Sequence, residues 1–324
     1  MQFHLAFTPN PLMPRIRHAD KLLLCGSCFT EQMGAKLRQY KFRTLENPNG
    51  ILFNPVSIAT AVNGYIENKQ YSEADLFLQD ETWGSWDHHT RFSALTAEES
   101  LAMINTSQNN AHHFLKNADW LLLTLGSSFV YERGEGSVVA NCHKLPADKF
   151  RKRLLPVQEL LAVLDEMIHR LREFNPGLQI IFTISPVRHL RDGFVENNRS
   201  KAALIQAVHQ LVDKFGHLHY FPAYELVIDD LRDYRFYAED MVHPNFAATQ
   251  YVWEKFMATA IEENAHGLMK EIGQLNAARN HKAFNPGSVA HQAFLKKNLE
   301  KAQYLHSMYP YLDLADETAY FSHT

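Results

Sequence analysis

Cysteine is scarce in this chain, with three in 324 residues. So small and odd a number builds no disulfide framework and suits reduced thiols in a cytoplasm. Long apolar runs are missing too. No segment approaches the ~20 residues needed to cross a bilayer as a helix, so no membrane partner is expected. Residues 1–5 carry no basic region followed by an apolar stretch, so no secretory signal is visible. Charge of one sign is also lacking: 32 Lys and Arg stand against 36 Asp and Glu, a formal net of −4. That balance argues against nucleic acid or an anionic surface held by phosphate neutralisation. The 14 glycines form neither Gly-x-Gly-x-x-Gly nor a phosphate-binding loop, so no nucleotide cofactor is expected.

What is present is apolar sequence in abundance. At 46% hydrophobic composition the chain can bury a full core without metal or disulfide staples. Short apolar runs at 21–25, 41–45, 119–125, 178–184 and 218–221 read as five strands. Trp120-Leu121-Leu122-Leu123-Thr124-Leu125 is apolar at nearly every position, as a parallel strand covered on both faces must be. Between the strands lie helical patterns at 28–40, 54–68, 96–114, 156–174 and 200–215, then at 246–264. The alternation predicts an α/β fold, a parallel sheet with helices on both faces. Residues 71–95 read as short strands or a lid-like loop, and 129–140 as a hairpin around Gly134-Glu135-Gly136. Residues 1–20, rich in proline, read as an extended lead-in, and the chain beyond 264 as mostly helical. The division expected is an α/β domain over 1–264 and a helical extension over 265–324.

One corner concentrates the chemistry. Lys21-Leu22-Leu23-Leu24-Cys25 runs as a strand into Gly26-Ser27, and a helix follows with Glu31 in its first turn. Such a corner presents backbone N–H groups and one side chain together, where open α/β sheets place ligands. Ser27 there is a turn or cap residue, or a nucleophile whose own N–H is an oxyanion donor. A serine needs a base, and Asp240-x-x-His243 can supply one, the carboxylate holding Nδ1 and leaving Nε2 free. Of the 18 histidines, only His243 has an aspartate three positions before it.

Other assignments compete. Cys25-Gly26-Ser27-Cys28 has redox-motif spacing between strand and helix, with buried packing as the plain alternative. Cys25, Cys28, Cys142 and His143 could form a zinc set, but the adjacent second pair cannot easily bite one metal, so no metal is expected. Arg188 and His189, after the fourth strand, should open onto the same sheet edge. Arg188 then either recognises an acyl or anionic part of a substrate or is a plain surface residue. Trp83, Trp86, His88 and His89 could line a pocket mouth or simply pack beneath a loop.

The stretch Gly26-Ser27-Cys28-Phe29-Thr30 resembles the signature of the GSCFA family, a branch of the SGNH (GDSL-like) hydrolases, with Thr30 where that signature has alanine. Residues 47–55, Asn141-Cys142-His143-Lys144, residues 185–189 with Asp192-Gly193, and residues 240–244 are similar to it as well, so the resemblance spans about residues 20–250. It implies a flavodoxin-like three-layer αβα sandwich of five parallel strands. It also implies Ser27 as nucleophile, His243 as base, Asp240 as its orienter, and Gly50 as a second oxyanion donor. The superfamily's asparagine donor has no match in Gly126-Ser127-Ser128, so Ser128 or Asn141 is expected to substitute. The expectation is a cytoplasmic, cofactor-free esterase acting on an acyl or acetyl group of a small molecule or sugar. The alternatives are a hydrolase-like binding protein with weak or no catalysis, and a thiol redox protein.

Overall fold

A computed structural model describes residues 5, 7–134 and 136–322. Residues 1–4 and 6 of the lead-in, which include most of those read for a secretory signal, and Glu135 of the hairpin lie outside the described residues. In chain order, β1 (Lys21–Gly26) leads through α1 (Cys28–Gln39) to β2 (Arg43–Glu46) and α2 (Pro55–Glu67). A two-stranded ribbon of β3 (Leu76–Gln79) and β4 (Thr82–Ser85) precedes α3 (Ala97–Lys116) and β5 (Trp120–Leu125). Next come β6 (Phe129–Arg133), β7 (Ser137–Val139), β8 (Arg151–Leu154), α4 (Val157–Phe174) and β9 (Gln179–Ile184). They are followed by α5 (Gly193–Lys214), β10 (Leu218–Tyr220) and α6 (Ala223–Glu225), the last unwinding into a wide turn at Leu226–Leu231. The C-terminal helices are α7 (Phe246–Ala260), α8 (Glu263–Arg279), α9 (Val289–Met308) and α10 (Ala315–Ser322).

Five strands form the main sheet in the order β10-β9-β5-β1-β2, and every pairing is parallel. Counting only these strands along the chain, the order is 2-1-3-4-5, the flavodoxin-like arrangement. It reverses direction between β1 and β5, and ligands gather outside the carboxyl ends of strands at such a switch. The period-2 side-chain alternation of a strand sends neighbours to opposite faces. Leu23 and Cys25 of β1 join Leu121, Leu123 and Leu125 beneath helices α2 to α5. Leu22 and Leu24 join Trp120 and Leu122 under α1 and α7. Two cores on one sheet make the three layers.

Three boundaries differ from the sequence pattern. β8 makes a third strand beside the expected hairpin, pairing antiparallel with β6; its Arg-Lys-Arg-Leu sequence has too few apolar residues to announce a strand. α5 begins at Gly193 rather than at 200, because its first turns expose Phe194 and Val195 and leave no apolar face to read. The single helix expected over 246–264 is two helices. Ile261 leaves α7 to bridge Ile16 of the lead-in, whose N–H donates to Ala260 O at 2.7 Å. α8 then serves both ends of the chain: Ala265 and Met269 enter the sheet core, while Leu268, Ile272 and Leu275 enter the C-terminal helical core. Among the described residues no helix is long and apolar enough to cross a membrane.

Candidate active site

Gly26 makes the corner. Its φ is +145°, and a Cβ built there would lie 2.2 Å from Thr124 O on the neighbouring strand, so only glycine passes between β1 and β5. Ser27 follows as the N-cap residue of α1, yet its side chain makes no capping bond. It is wholly buried, and Oγ has no hydrogen-bond partner among the described residues. A capping hydroxyl would be bonded to the helix; this one is left unspent, and a buried unpaired hydroxyl in a folded protein calls for an explanation.

The donors expected around it correct the sequence expectation. Ser27 N–H is not free, because it donates to Thr124 O at 3.1 Å. Gly50 N–H closes the turn onto Asn47 O at 2.7 Å, and the residue packs against His89. Ser128 is fully buried in a knot with α5: its N–H donates to Ser200 Oγ at 2.8 Å and its Oγ to Ser200 O at 3.2 Å. That serine holds the β5 loop to a helix and has no donor left for a substrate. Asn141 is different. Its Oδ1 accepts the His143 N–H at 2.7 Å, while its amide, on the wall of a cavity, makes no hydrogen bond among the described residues.

The base pair forms within its own loop. Asp240 Oδ2 meets His243 Nδ1 at 2.7 Å, and Oδ1 accepts the N–H groups of Val242 and His243 at 2.9 and 3.0 Å. The His243 backbone and ring bonds, in that order, followed by that of Val242, hold the Asp240 carboxyl down to about 2, so it stays ionised at any physiological pH. No hydrogen bond joins this imidazole to Ser27 Oγ. The loop is nonetheless tied to the sheet edge, since Arg188 N–H donates to Val242 O at 3.2 Å.

Phe53 lines a cavity and lies, with Ser27, against Gly126. Its carbonyl accepts N–H groups from both Gly126 and Ser127, at 2.8 and 2.9 Å. A Cβ built on Gly126 would sit 3.2 Å from the Phe53 ring and 3.3 Å from Ser27 Cβ, so ring and serine meet over that glycine. Phe53 also packs edge-on against His189, centroids 5.6 Å apart. The cavity holds about 450 Å³ and is walled in part by Phe53, Asn141, Arg188 and His189. Burial, then the charge of Lys201, pushes the His189 imidazole down to about 4, so it is neutral at pH 7.

Two participants escaped the sequence reading. Lys201 on α5 is buried, with Nζ donating to Gly126 O at 2.6 Å and Ser185 O at 2.7 Å, which staples the ends of β5 and β9 together. Burial lowers its amine to about 7. Its only sequence signal is one lysine on the apolar stripe of an amphipathic helix. Asn47 supports the corner itself: Oδ1 accepts the Gly26 N–H at 2.9 Å, and Nδ2 is buried without a partner.

The remaining candidates resolve into packing. Trp86 stacks on Phe77 at 4.0 Å, and His88 is buried with Nδ1 beside Ser85 Oγ at 3.0 Å. His89 receives the Arg91 N–H on its ring, and Trp83 lies in the ribbon strand β4; none of the four lines the cavity beside Arg188. Cys25 faces the α2 to α5 core and Cys28 the opposite one. Burial pushes the Cys25 thiol up to about 12 and raises that of Cys28 as well, the reverse of what thiolate redox chemistry needs. All three cysteines are free, and among the described residues no group of three or more His, Cys, Asp or Glu side chains could hold a metal.

Solved structures with a related chain course include two family 3 carbohydrate esterases. One, from Talaromyces cellulolyticus, is 10% identical over 78% of this chain and 99% of its own, with a TM-score of 0.38. The other, from Clostridium thermocellum, is 9% identical over 79% and 99%, with a TM-score of 0.37. An acetyl xylan esterase from Butyrivibrio proteoclasticus is 10% identical over 78% and 65%, also at 0.37. Likeness at that distance leaves the activity to be argued from this chain's own residues. No curated protein matches the chain. Two family models do: the GSCFA family over residues 21–256, from the start of β1 to the last turns of α7, and the GSCFA domain protein C-terminal domain over 272–324, the helical core. With most of its length matched in this way, the chain belongs to the GSCFA family.

Proposed function

We propose that this protein is an SGNH-type serine esterase that removes a small acyl group through an acyl-enzyme on Ser27. The observation that carries the reading is the Asp240–His243 pair, a 2.7 Å contact whose carboxylate is fixed by two backbone N–H groups. The carboxylate holds the Nδ1 proton and so directs the basic Nε2 lone pair outward, the arrangement a serine nucleophile requires. Ser27 lies at the switch point of the sheet with an unspent hydroxyl. In the proposed course His243 takes the Oγ proton as Oγ attacks the ester carbonyl. The alcohol then leaves with that proton, and water hydrolyses the acyl-enzyme. Asn141 is the oxyanion donor candidate with a free amide, and its side of the cavity is where the developing charge would lie. The free thiols support a reducing, cytoplasmic setting.

Reaction at Ser27 requires its surroundings to open, with Phe53 the neighbour best placed to move, because the serine is buried. That closure favours a second reading, a hydrolase-like protein that binds a ligand in the cavity and has lost efficient catalysis. Labelling with a fluorophosphonate separates them. The esterase reading expects wild type to be labelled and Ser27→Ala not. Equal labelling of the two, or none of either, overturns it.

A further inference from the structure

The cavity that Phe53 lines has an unbalanced wall. Arg188, Arg191 and Lys152 face it, with Asp192 as the one acidic residue. Lys152 and Asp192 neutralise each other as an ion pair, which leaves two guanidinium groups. Arg191 is exposed and solvated. Arg188 is half-buried, forms no ion pair among the described residues, and has Nη1 buried without a hydrogen-bond partner. Its charge lies against aromatic faces, with the guanidinium 4.0 Å from the Tyr237 ring centroid and 5.0 Å from that of Tyr234. Cation–π contacts hold a guanidinium by its face, and Nη1 has no hydrogen-bond partner among the described residues.

Position gives that unpaired nitrogen a meaning. The Arg188 N–H is bonded to Val242 O, next to His243, and Arg188 and Val242 both line the cavity. Phe129, Tyr131 and Val139 give the cavity lining an aromatic and aliphatic part, with Lys152 Nζ over the Phe129 and Tyr131 rings. We propose that the substrate carries an anionic group beside its ester, held by the Arg188 guanidinium, with an apolar portion against Phe129, Tyr131 and Val139. This deepens the esterase reading and rests on it for the word substrate; the anion site itself rests on Arg188 alone. Carboxylate and phosphate share the required chemistry, since both accept parallel N–H bonds from arginine.

The test has a catalytic and a binding arm. In the first, kcat/KM is compared for 4-nitrophenyl acetate and butyrate, 4-nitrophenyl hydrogen glutarate, 4-acetoxybenzoate and 4-acetoxyphenyl phosphate. At least one anionic ester should exceed the neutral esters by about tenfold or more, the scale of one charge-assisted contact. That preference should vanish in Arg188→Gln and survive in part in Arg188→Lys, which keeps the charge and loses the fork. Equal rates, a preference for neutral esters, or a preference that persists in Arg188→Gln overturns the proposal.

In the second arm Ser27→Ala protein is titrated with glutarate, benzoate and inorganic phosphate, with tyrosine fluorescence and thermal shift as readouts. Saturable binding lost on adding Arg188→Gln supports the site, and the tighter anion names its type. Absence of saturable binding overturns it, as does binding that survives Arg188→Gln. Should Arg188→Gln fail to fold, Arg188→Lys decides, with weakened binding in support and unchanged binding against. Anion binding without hydrolysis of any ester would defeat the esterase reading and leave the anion site standing. Neutral-ester hydrolysis without anion binding would do the reverse.

Discussion

The two halves of the candidate triad sit in opposite states. Asp240 and His243 face solvent, with side chains about half exposed and hydrogen bonds already made. Ser27 is sealed, its hydroxyl without a partner among the described residues and Phe53 and Gly126 packed against it. The exposed half is assembled by a single loop, so a three-residue spacing suffices to build it. The closed half needs β1, β5, the 50–54 segment and α5 to arrive together, and is held by Lys201 and Ser200. On the proposed esterase reading, a ready His243 and a closed Ser27 suit an enzyme that exposes its serine only when a ligand displaces the cover, a gating role loops commonly play.

The comparison breaks most sharply at the base. His243→Gln should lower kcat on an activated aryl ester by about 10⁴-fold or more, and Ser27→Ala combined with it should cost little further, as in other triads. Full activity in His243→Gln would remove the exposed half from the mechanism. Lys201 probes the closed half through pH. Its folded value is lowered to about 7 from the ordinary 10.5, so between those values the unfolded chain binds the extra proton and stability rises with pH. Urea melts of wild type and Lys201→Met across pH 7–10 should differ in slope by up to about 1.4 kcal/mol per pH unit. Parallel curves would mean that the amine stays charged.

Ser200→Ala should destabilise by about 1–3 kcal/mol, because it strands the buried Ser128 N–H; an unchanged denaturation midpoint would show that the knot is dispensable. The smallest effect is the most direct test of the cover. If the open form is about a tenth of the population, Phe53→Ala should speed phosphonate labelling of Ser27 by about tenfold. Slower labelling would make the ring part of the binding wall rather than a barrier.

Much of this was legible in the chain. The run from Trp120 to Leu125 announced a parallel strand because a strand covered on both faces has no polar side to show. Gly26-Ser27 at the end of β1 and Asp240-x-x-His243 could be singled out because their geometry is local: a glycine at a crowded turn, a carboxylate within reach of a ring three residues on. Less local features stayed hidden. Nothing in residues 151–154 tells that they pair with β6, and helix α5 starts on exposed residues that carry no period. The donors misled for the same reason. Whether the N–H groups of Ser27 and Gly50 are free depends on Thr124 and Asn47, partners that only folding brings within reach.

By itself, then, the sequence determined the alternation of strands and helices, the corner at Ser27 and the Asp240–His243 pair, since each follows from neighbours along the chain. The tertiary structure alone decided that the serine is covered, that Ser128 is tied to Ser200, that a buried lysine joins the ends of β5 and β9, and that Arg188 on the cavity wall keeps a buried Nη1 without a partner among the described residues. Those are matters of which distant groups exclude water and satisfy one another's hydrogen bonds, and they exist only once the chain has closed on itself.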